Sequence, residues 1–93
     1  SSKKTDRIHL AATGLSYMME YVKVEPLSYV AHYNTGRAYL ALEQRHLALD
    51  HFERVLQTGD TLYQRLAAHQ MTVIYAAAGN YLQAGRICRQ IVI

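Results

Sequence analysis

The stretch that decides the fold is YNTGRAYLALEQRHLALDHFERVL, residues 33–56. Gly36 and Tyr39 lie on one turn of a predicted helix, and Ala48 and Phe52 lie one turn apart further along. Small residues let two helices approach closely, and large apolar residues fill the space around such a contact. The stretch therefore predicts two helices that fit against each other, either inside a closed helical bundle or as one unit of a stack.

Helical spacing of apolar residues continues over nearly the whole chain. Pro26 ends a first helix, because the residue before a proline is pushed out of the helical backbone region. Ser28 is a candidate N-cap for the next helix, and Gly79-Asn80 is a turn signal. The predicted helices cover about residues 5–23, 29–42, 46–57, 62–78 and 81–93. The connections are short, so neighbouring helices are antiparallel, and the fold class is all-α.

Several features of the opening stretch recur along the chain. A shift of 36 residues aligns Tyr39 with Tyr75 and Ala48 with Ala84, and it also aligns the polar residues 43–45 with the turn at 79–81. A shift of about 34 residues in the other direction aligns a partial copy, residues 14–26, with residues 48–60, and this copy ends in Pro26. Self-similarity at this period is typical of helical repeat proteins, whereas an ordinary five-helix bundle is the simpler alternative.

At these positions the chain resembles the tetratricopeptide repeat (TPR) family. The segments that carry the resemblance are GRAY (36–39), ALDHF (48–52), IYAAAGNYLQAGRIC (74–88) and, for half a unit, GLSYMMEYVKVEP (14–26). The resemblance implies one domain, 1–93, of antiparallel helix pairs stacked as a short right-handed α-solenoid of about five helices. Its parts are an N-terminal half repeat (5–26) and two repeats (27–60 and 61–93). Thr72, Cys88 and Asp60 depart from the family pattern, which leaves a related α-solenoid open.

In the TPR family the first helices of successive units line a concave groove that binds peptides or helices. The shift of 36 residues places Tyr33 beside His69 and Arg37 beside Val73 as adjacent rows. This groove implies a protein–protein interaction module, acting as a scaffold, adaptor or assembly subunit. The paired Lys and Asn residues with which some members of the family bind C-terminal carboxylates are absent from these rows. The predicted groove residues are Val30, Tyr33, Asn34, Arg37, Ala41, Leu66, His69, Gln70 and Val73.

A second predicted surface lies at the apolar end of the chain, RICRQIVI (86–93). Repeat arrays need a polar terminal cap, and this segment carries none. It predicts contact with a second copy of the chain or with the continuation of a longer helical array. The alternative function is accordingly a helical oligomerisation or regulatory domain without a peptide groove. The residues predicted for this terminal interface are Ile87, Ile91, Val92 and Ile93.

Composition argues against several other classes of function. The net charge of +3 is scattered along the chain, whereas a nucleic-acid footprint clusters Lys and Arg on one face. The apolar runs are far shorter than the roughly 20 residues that cross a bilayer, so we expect no membrane partner. The single cysteine excludes an intrachain disulfide and fits the reducing cytoplasm.

The sequence offers little support for a metal site, a cofactor or catalysis. His46 and His51 are five residues apart and so lie on different helix faces, unlike the i, i+4 pair of a zinc helix. The histidines are predicted to be surface or partly exposed side chains. Cys88 and His69 could form a nucleophile and base, but Cys88 occupies a packing position where a buried thiol is an ordinary small apolar group. We predict a non-enzymatic protein.

Overall fold

The computed structural model describes residues 7–16 and 28–92, with side chains in the second range as far as Gln90. These residues form helices and connecting turns, with no strand among them. The helices are α1 (7–16), α2 (Tyr29–Ala41), α3 (Arg45–Thr58), α4 (Thr61–Ala77) and α5 (Tyr81–Val92). The all-α prediction is confirmed. Residues 5–6 and 17–26 of the predicted half repeat lie outside the described residues, and the repeat boundaries stay a prediction.

Side chains of the connecting segments begin α2 and α4. The Ser28 hydroxyl accepts a hydrogen bond from the Ala31 N–H at 3.3 Å. The Asp60 carboxylate accepts one from the Tyr63 N–H at 2.9 Å. Each such N-cap satisfies a backbone donor that the helix leaves unpaired and typically contributes about 1 kcal/mol. The predicted role of Ser28 is confirmed, and the predicted break at 58–61 contains the cap of α4.

The α2–α3 and α4–α5 turns have the same backbone. Glu43 and Gly79 occupy equivalent positions and both have a positive φ, 61° and 80° respectively. The next residue then donates its N–H to a carbonyl five residues back: Gln44 to Tyr39 at 2.9 Å, and Asn80 to Tyr75 at 2.8 Å. This is the Schellman arrangement, which ends a helix with one residue in the left-handed region. These two turns therefore share one geometry at the 36-residue shift found in the sequence.

The helices form an open stack. Helix α2 packs against α3, α3 against α4, and α4 against α5, and α2 also reaches α4. No Cα of α5 lies within 8 Å of α2 or α3. In a closed four-helix bundle the first and last helices also meet, so this order is that of a small solenoid-like fold, in which each pair contacts its neighbours. None of the described helices has the length and hydropathy needed to cross a membrane.

The predicted close approach of two helices is present where α2 crosses α3. A Cβ atom added at Gly36 would lie 2.7 Å from Cε1 of Phe52, whose side chain is fully buried. Ala48 and Ala84 are buried as well. Cys88 is exposed, so the prediction that it occupies a buried packing position is wrong. The equivalent Phe52 is covered because α3 has α2 on one side and α4 on the other, whereas α5 packs only on α4 among α2–α4.

Candidate interaction surface on α2 and α4

Most of the predicted groove residues on α2 face solvent along one stripe. Val30, Asn34, Arg37 and Ala41 follow helical spacing, so they share a face. Val30, Arg37 and Ala41 are exposed, and Asn34 is half-buried. The Asn34 side-chain amide donates to the Val30 carbonyl at 3.1 Å, so one of its donors already serves the helix. This face of α2 therefore offers an aliphatic side chain near its start and a cation in its second half.

The predicted residues on α4 form a second stripe. Leu66, His69 and Val73 are exposed, and Gln70 is half-buried. Leu62 belongs to the same stripe and is 61% exposed, although the sequence analysis did not include it. It lies one turn before Leu66, so the helical periodicity that located the other residues was sufficient to find it. The α4 stripe is more apolar than the α2 stripe.

Tyr33 does not lie on the solvent face with its predicted neighbours. It is only 8% exposed, and its ring packs against Phe52 and Tyr63 with centroids 5.7 and 5.5 Å apart. The sequence had placed it in a row with His69, but its partner on α4 is Tyr63. Tyr33 still affects the surface, because the guanidinium carbon of Arg37 lies 6.0 Å from its ring centroid. That distance permits a cation–π interaction that favours one position of the arginine.

A cluster of tyrosines fixes α2 beside α4. The rings of Tyr29 and Tyr63 meet edge to face at 5.3 Å, and Tyr33 meets Tyr63 in the same manner. Each such pair contributes about 0.5–1.5 kcal/mol beyond area burial. The Tyr29 hydroxyl also donates to the Asp60 carboxylate at 3.4 Å. The negative charge of Asp60, followed by burial, raises the pKa of the Tyr29 hydroxyl. These contacts hold the two solvent-facing stripes side by side.

The charges on this surface are unbalanced. Helices α2 and α4 contain no aspartate or glutamate, and they carry Arg37, Arg65 and His69, all exposed. The acidic side chains of α3, Asp50 and Glu53, are also exposed, and Asp50 lies 3.6 Å from Arg54 on the same helix. Apart from the Asp60 carboxylate, which precedes α4 and accepts from Tyr29, the face formed by α2 and α4 is therefore apolar and cationic.

The residues predicted for the terminal interface do not form an exposed surface in the part of α5 that the structure describes. Ile87 is buried in the core, so it is not available to a partner. The side chains of Ile91, Val92 and Ile93 lie outside the described residues. Among the described side chains of α5, the large apolar ones that are exposed are Tyr81 and Leu82, at 73% and 70%, both in its first turn.

Two histidines are buried, so the prediction of surface histidines is wrong for them. His32 on α2 is 2% exposed and His51 on α3 is 8% exposed. Their Nδ1 atoms lie 3.0 Å apart. The described residues contain no group of three or more His, Cys, Asp or Glu side chains that could hold a metal ion.

These features define an all-helical protein of stacked helix pairs with an open apolar and cationic face. Comparison of the chain with protein-family models, with curated proteins and with solved structures finds no match.

Proposed function

We propose that the face formed by α2 and α4 binds a segment of another protein. The observation that carries the proposal is the pair of adjacent solvent-facing stripes, in which Val30, Leu62, Leu66 and Val73 are all exposed. Exposed apolar side chains are ordinary when scattered, but a contiguous set bordered by polar groups is typical of interaction sites. In this proposal the chain is a non-enzymatic scaffold, adaptor or assembly subunit of the cytoplasm, and the repeated helix pairs support a TPR-like assignment.

The charges of the face narrow the class of ligand. Arg37 is exposed and lies over the Tyr33 ring, so less side-chain entropy is lost when it binds a ligand. A guanidinium binds a carboxylate through two parallel hydrogen bonds, and no acidic residue of α2 or α4 competes for it. The ligand is therefore a peptide segment with aliphatic side chains and at least one Asp or Glu.

Selection from a random peptide library displayed on phage, followed by fluorescence anisotropy with the selected peptides, tests this proposal. We expect Arg37→Glu to weaken their binding by about tenfold or more, since hydrogen bonds to charged groups contribute about 1.5–3 kcal/mol. Val73→Asp should act similarly by placing a charge in the apolar stripe. Arg45→Glu is the matched control, because it makes the same charge change at an exposed position of α3. Equal binding by the Arg37 and Arg45 variants would refute the assignment.

Self-association through α5 is a second candidate, favoured by the exposure of Tyr81 and Leu82. It predicts an oligomer in solution that dissociates when both residues are replaced by serine. Light scattering of the wild type and of this variant measures the mass directly. A wild-type chain that is monomeric at high concentration excludes this candidate, and this result does not bear on the proposed peptide-binding face.

A further inference from the structure

The buried contact between His32 and His51 joins α2 to α3. Each ring is at least nine-tenths buried, and the two Nδ1 atoms are 3.0 Å apart. The ring centroids are 5.2 Å apart. On the outer side of His51 the Tyr39 ring stacks at 5.5 Å with an interplanar angle of 21°. The two imidazoles are therefore held in place by packing as well as by the contact between their nitrogens.

A hydrogen bond between two Nδ1 atoms requires one proton between them. One ring donates an N–H and the other accepts with a lone pair, so the two neutral rings have different tautomers. A first additional proton can bind Nε2 of the donor ring, which leaves the N–H···N bond in place. A second must bind the acceptor Nδ1, and two N–H groups would then face each other at the 3.0 Å separation.

We propose that His32 and His51 form a pH-sensitive latch, closed while one proton lies between the two rings and opened by acidification. The folded pair accepts at most one further proton with the latch closed, whereas the unfolded chain accepts two. The latch is a property of the α2–α3 contact and does not depend on the proposed peptide-binding function. Its effect on peptide binding does, because α2 also carries Val30 and Arg37.

The surroundings of His51 favour its neutral form. Burial, followed by the nearby His32 and then Arg54 on α3, lowers the pKa of His51, and Asp50 opposes this effect. Asp50 and Arg54 are exposed and lie close to each other, so their opposite charges partly cancel at the ring. Among the described residues, His32 and Tyr39 of α2 and Asp50 and Arg54 of α3 are the titratable and charged groups that face His51.

The direction of the pH effect follows from proton linkage. A histidine whose folded-state pKa is lowered binds fewer protons when folded than when unfolded. Its contribution to stability is present above the ordinary histidine pKa of about 6.5 and is lost as the pH falls below it. Each proton that the unfolded chain binds in excess raises the unfolding equilibrium constant about tenfold per pH unit. The latch therefore weakens in the mildly acidic range.

Long-range proton–nitrogen NMR spectra of the histidine side chains test the latch in the wild-type chain. At pH 8 we expect one of the two buried rings to carry its proton on Nδ1 and the other on Nε2. On acidification the His51 ring should titrate below the ordinary histidine pKa of about 6.5, because burial and its charged neighbours favour the neutral ring. Two buried rings with the same tautomer, or a His51 ring that titrates at the ordinary histidine pKa, would overturn the proposal.

A variant provides the second measurement. The residues equivalent to His32 and His51 at the 36-residue shift are Ala68 and Ile87, both buried. The double substitution His32→Ala/His51→Ile therefore gives the first helix pair the residues of the second. When the pH falls from 7.5 to 5.5, the unfolding equilibrium constant of the wild type should increase by a factor about ten times larger than that of the double variant. His69→Gln, the matched surface control, should keep the wild-type pH dependence; an unchanged dependence in the double variant would refute the latch.

Discussion

The contact between Gly36 and Phe52 gives an unusual expectation for a glycine inside a helix. Replacing a helical glycine with alanine normally stabilises a protein by about 1 kcal/mol, because alanine restricts the unfolded chain and favours the helix. At Gly36 the new methyl group would lie 2.7 and 2.9 Å from two ring carbons of Phe52. The ring is fully buried, so it cannot move aside without disturbing the α2–α3 interface.

The size of the effect follows from two opposing contributions. Overpacking of this kind costs about 1–3 kcal/mol, which offsets the helix-propensity gain and leaves Gly36→Ala between neutral and about 2 kcal/mol destabilising. Gly85 in α5 provides the control, because a Cβ atom there meets nothing within 4 Å. Gly85→Ala should therefore show the ordinary gain of up to about 1 kcal/mol. The two variants should differ by about 1–3 kcal/mol.

Urea unfolding followed by circular dichroism measures both free energies, provided that the slope with denaturant is the same in each variant. Combining Gly36→Ala with Phe52→Leu adds a direct check of the contact. The smaller side chain leaves room for the methyl group, so the double variant should be more stable than the sum of the single effects predicts. If Gly36→Ala stabilises the chain as much as Gly85→Ala, the close approach of α2 and α3 is not as described and the reasoning is refuted.

Three further predictions concern single positions. A non-glycine residue in the left-handed region is strained, so Glu43→Gly should stabilise the chain by about 1 kcal/mol, and Gly79→Ala should destabilise it by a similar amount. Thermal unfolding measures both variants, and melting temperatures that shift in the same direction would contradict the prediction. Thr35→Val should stabilise the chain by about 1 kcal/mol, since the buried Thr35 hydroxyl has no hydrogen-bond partner among the described residues. Denaturant unfolding with a lower midpoint in the variant would show that the hydroxyl is satisfied. Asp60→Ala should lower the free energy of unfolding by about 1 kcal/mol, because α4 loses its N-cap. The variant should also lower the pKa of Tyr29, because the negative charge of Asp60 is removed. Ultraviolet titration of tyrosine in the variant and in the wild type measures this change.

The helices and turns were predictable because their signals are local. Ser28 and the Gly79-Asn80 turn mark helix ends through the chemistry of capping and of the left-handed backbone. The pairing of Gly36 with Phe52 was also predictable in kind, because a small residue opposite a large one favours close helix packing. The direction in which the Tyr33 side chain points could not be predicted from the sequence. Whether a side chain at the edge of a helix face meets solvent or the next helix depends on the position of that helix, which no local signal specifies.

The buried histidines show a different reason for error. Histidine is usually placed near the surface because burying a polar ring is costly. Two histidines that satisfy each other avoid much of that cost, so the residue type alone is a poor guide. At the 36-residue shift His51 aligns with Ile87, which the structure also buries, although the sequence analysis had placed Ile87 at an exposed interface. Equivalent positions do not always agree in burial, however, since Phe52 is buried and its equivalent Cys88 is exposed.

Comparing equivalent positions also shows that the two helix pairs have different interiors, although the turns within them have the same backbone. At three equivalent positions the first pair buries His32, Thr35 and His51, and the second pair buries Ala68, Met71 and Ile87. The two pairs share the turn geometry and the buried alanines Ala48 and Ala84, whereas the side chains at these three positions give their interiors a different chemistry. Among the described residues, the buried histidines belong to the first pair, which also carries Arg37. The sensitivity to acid and the cation of the proposed binding face therefore lie on the same helix, α2, whereas the apolar stripe of α4 rests on an interior with no titratable group at these positions.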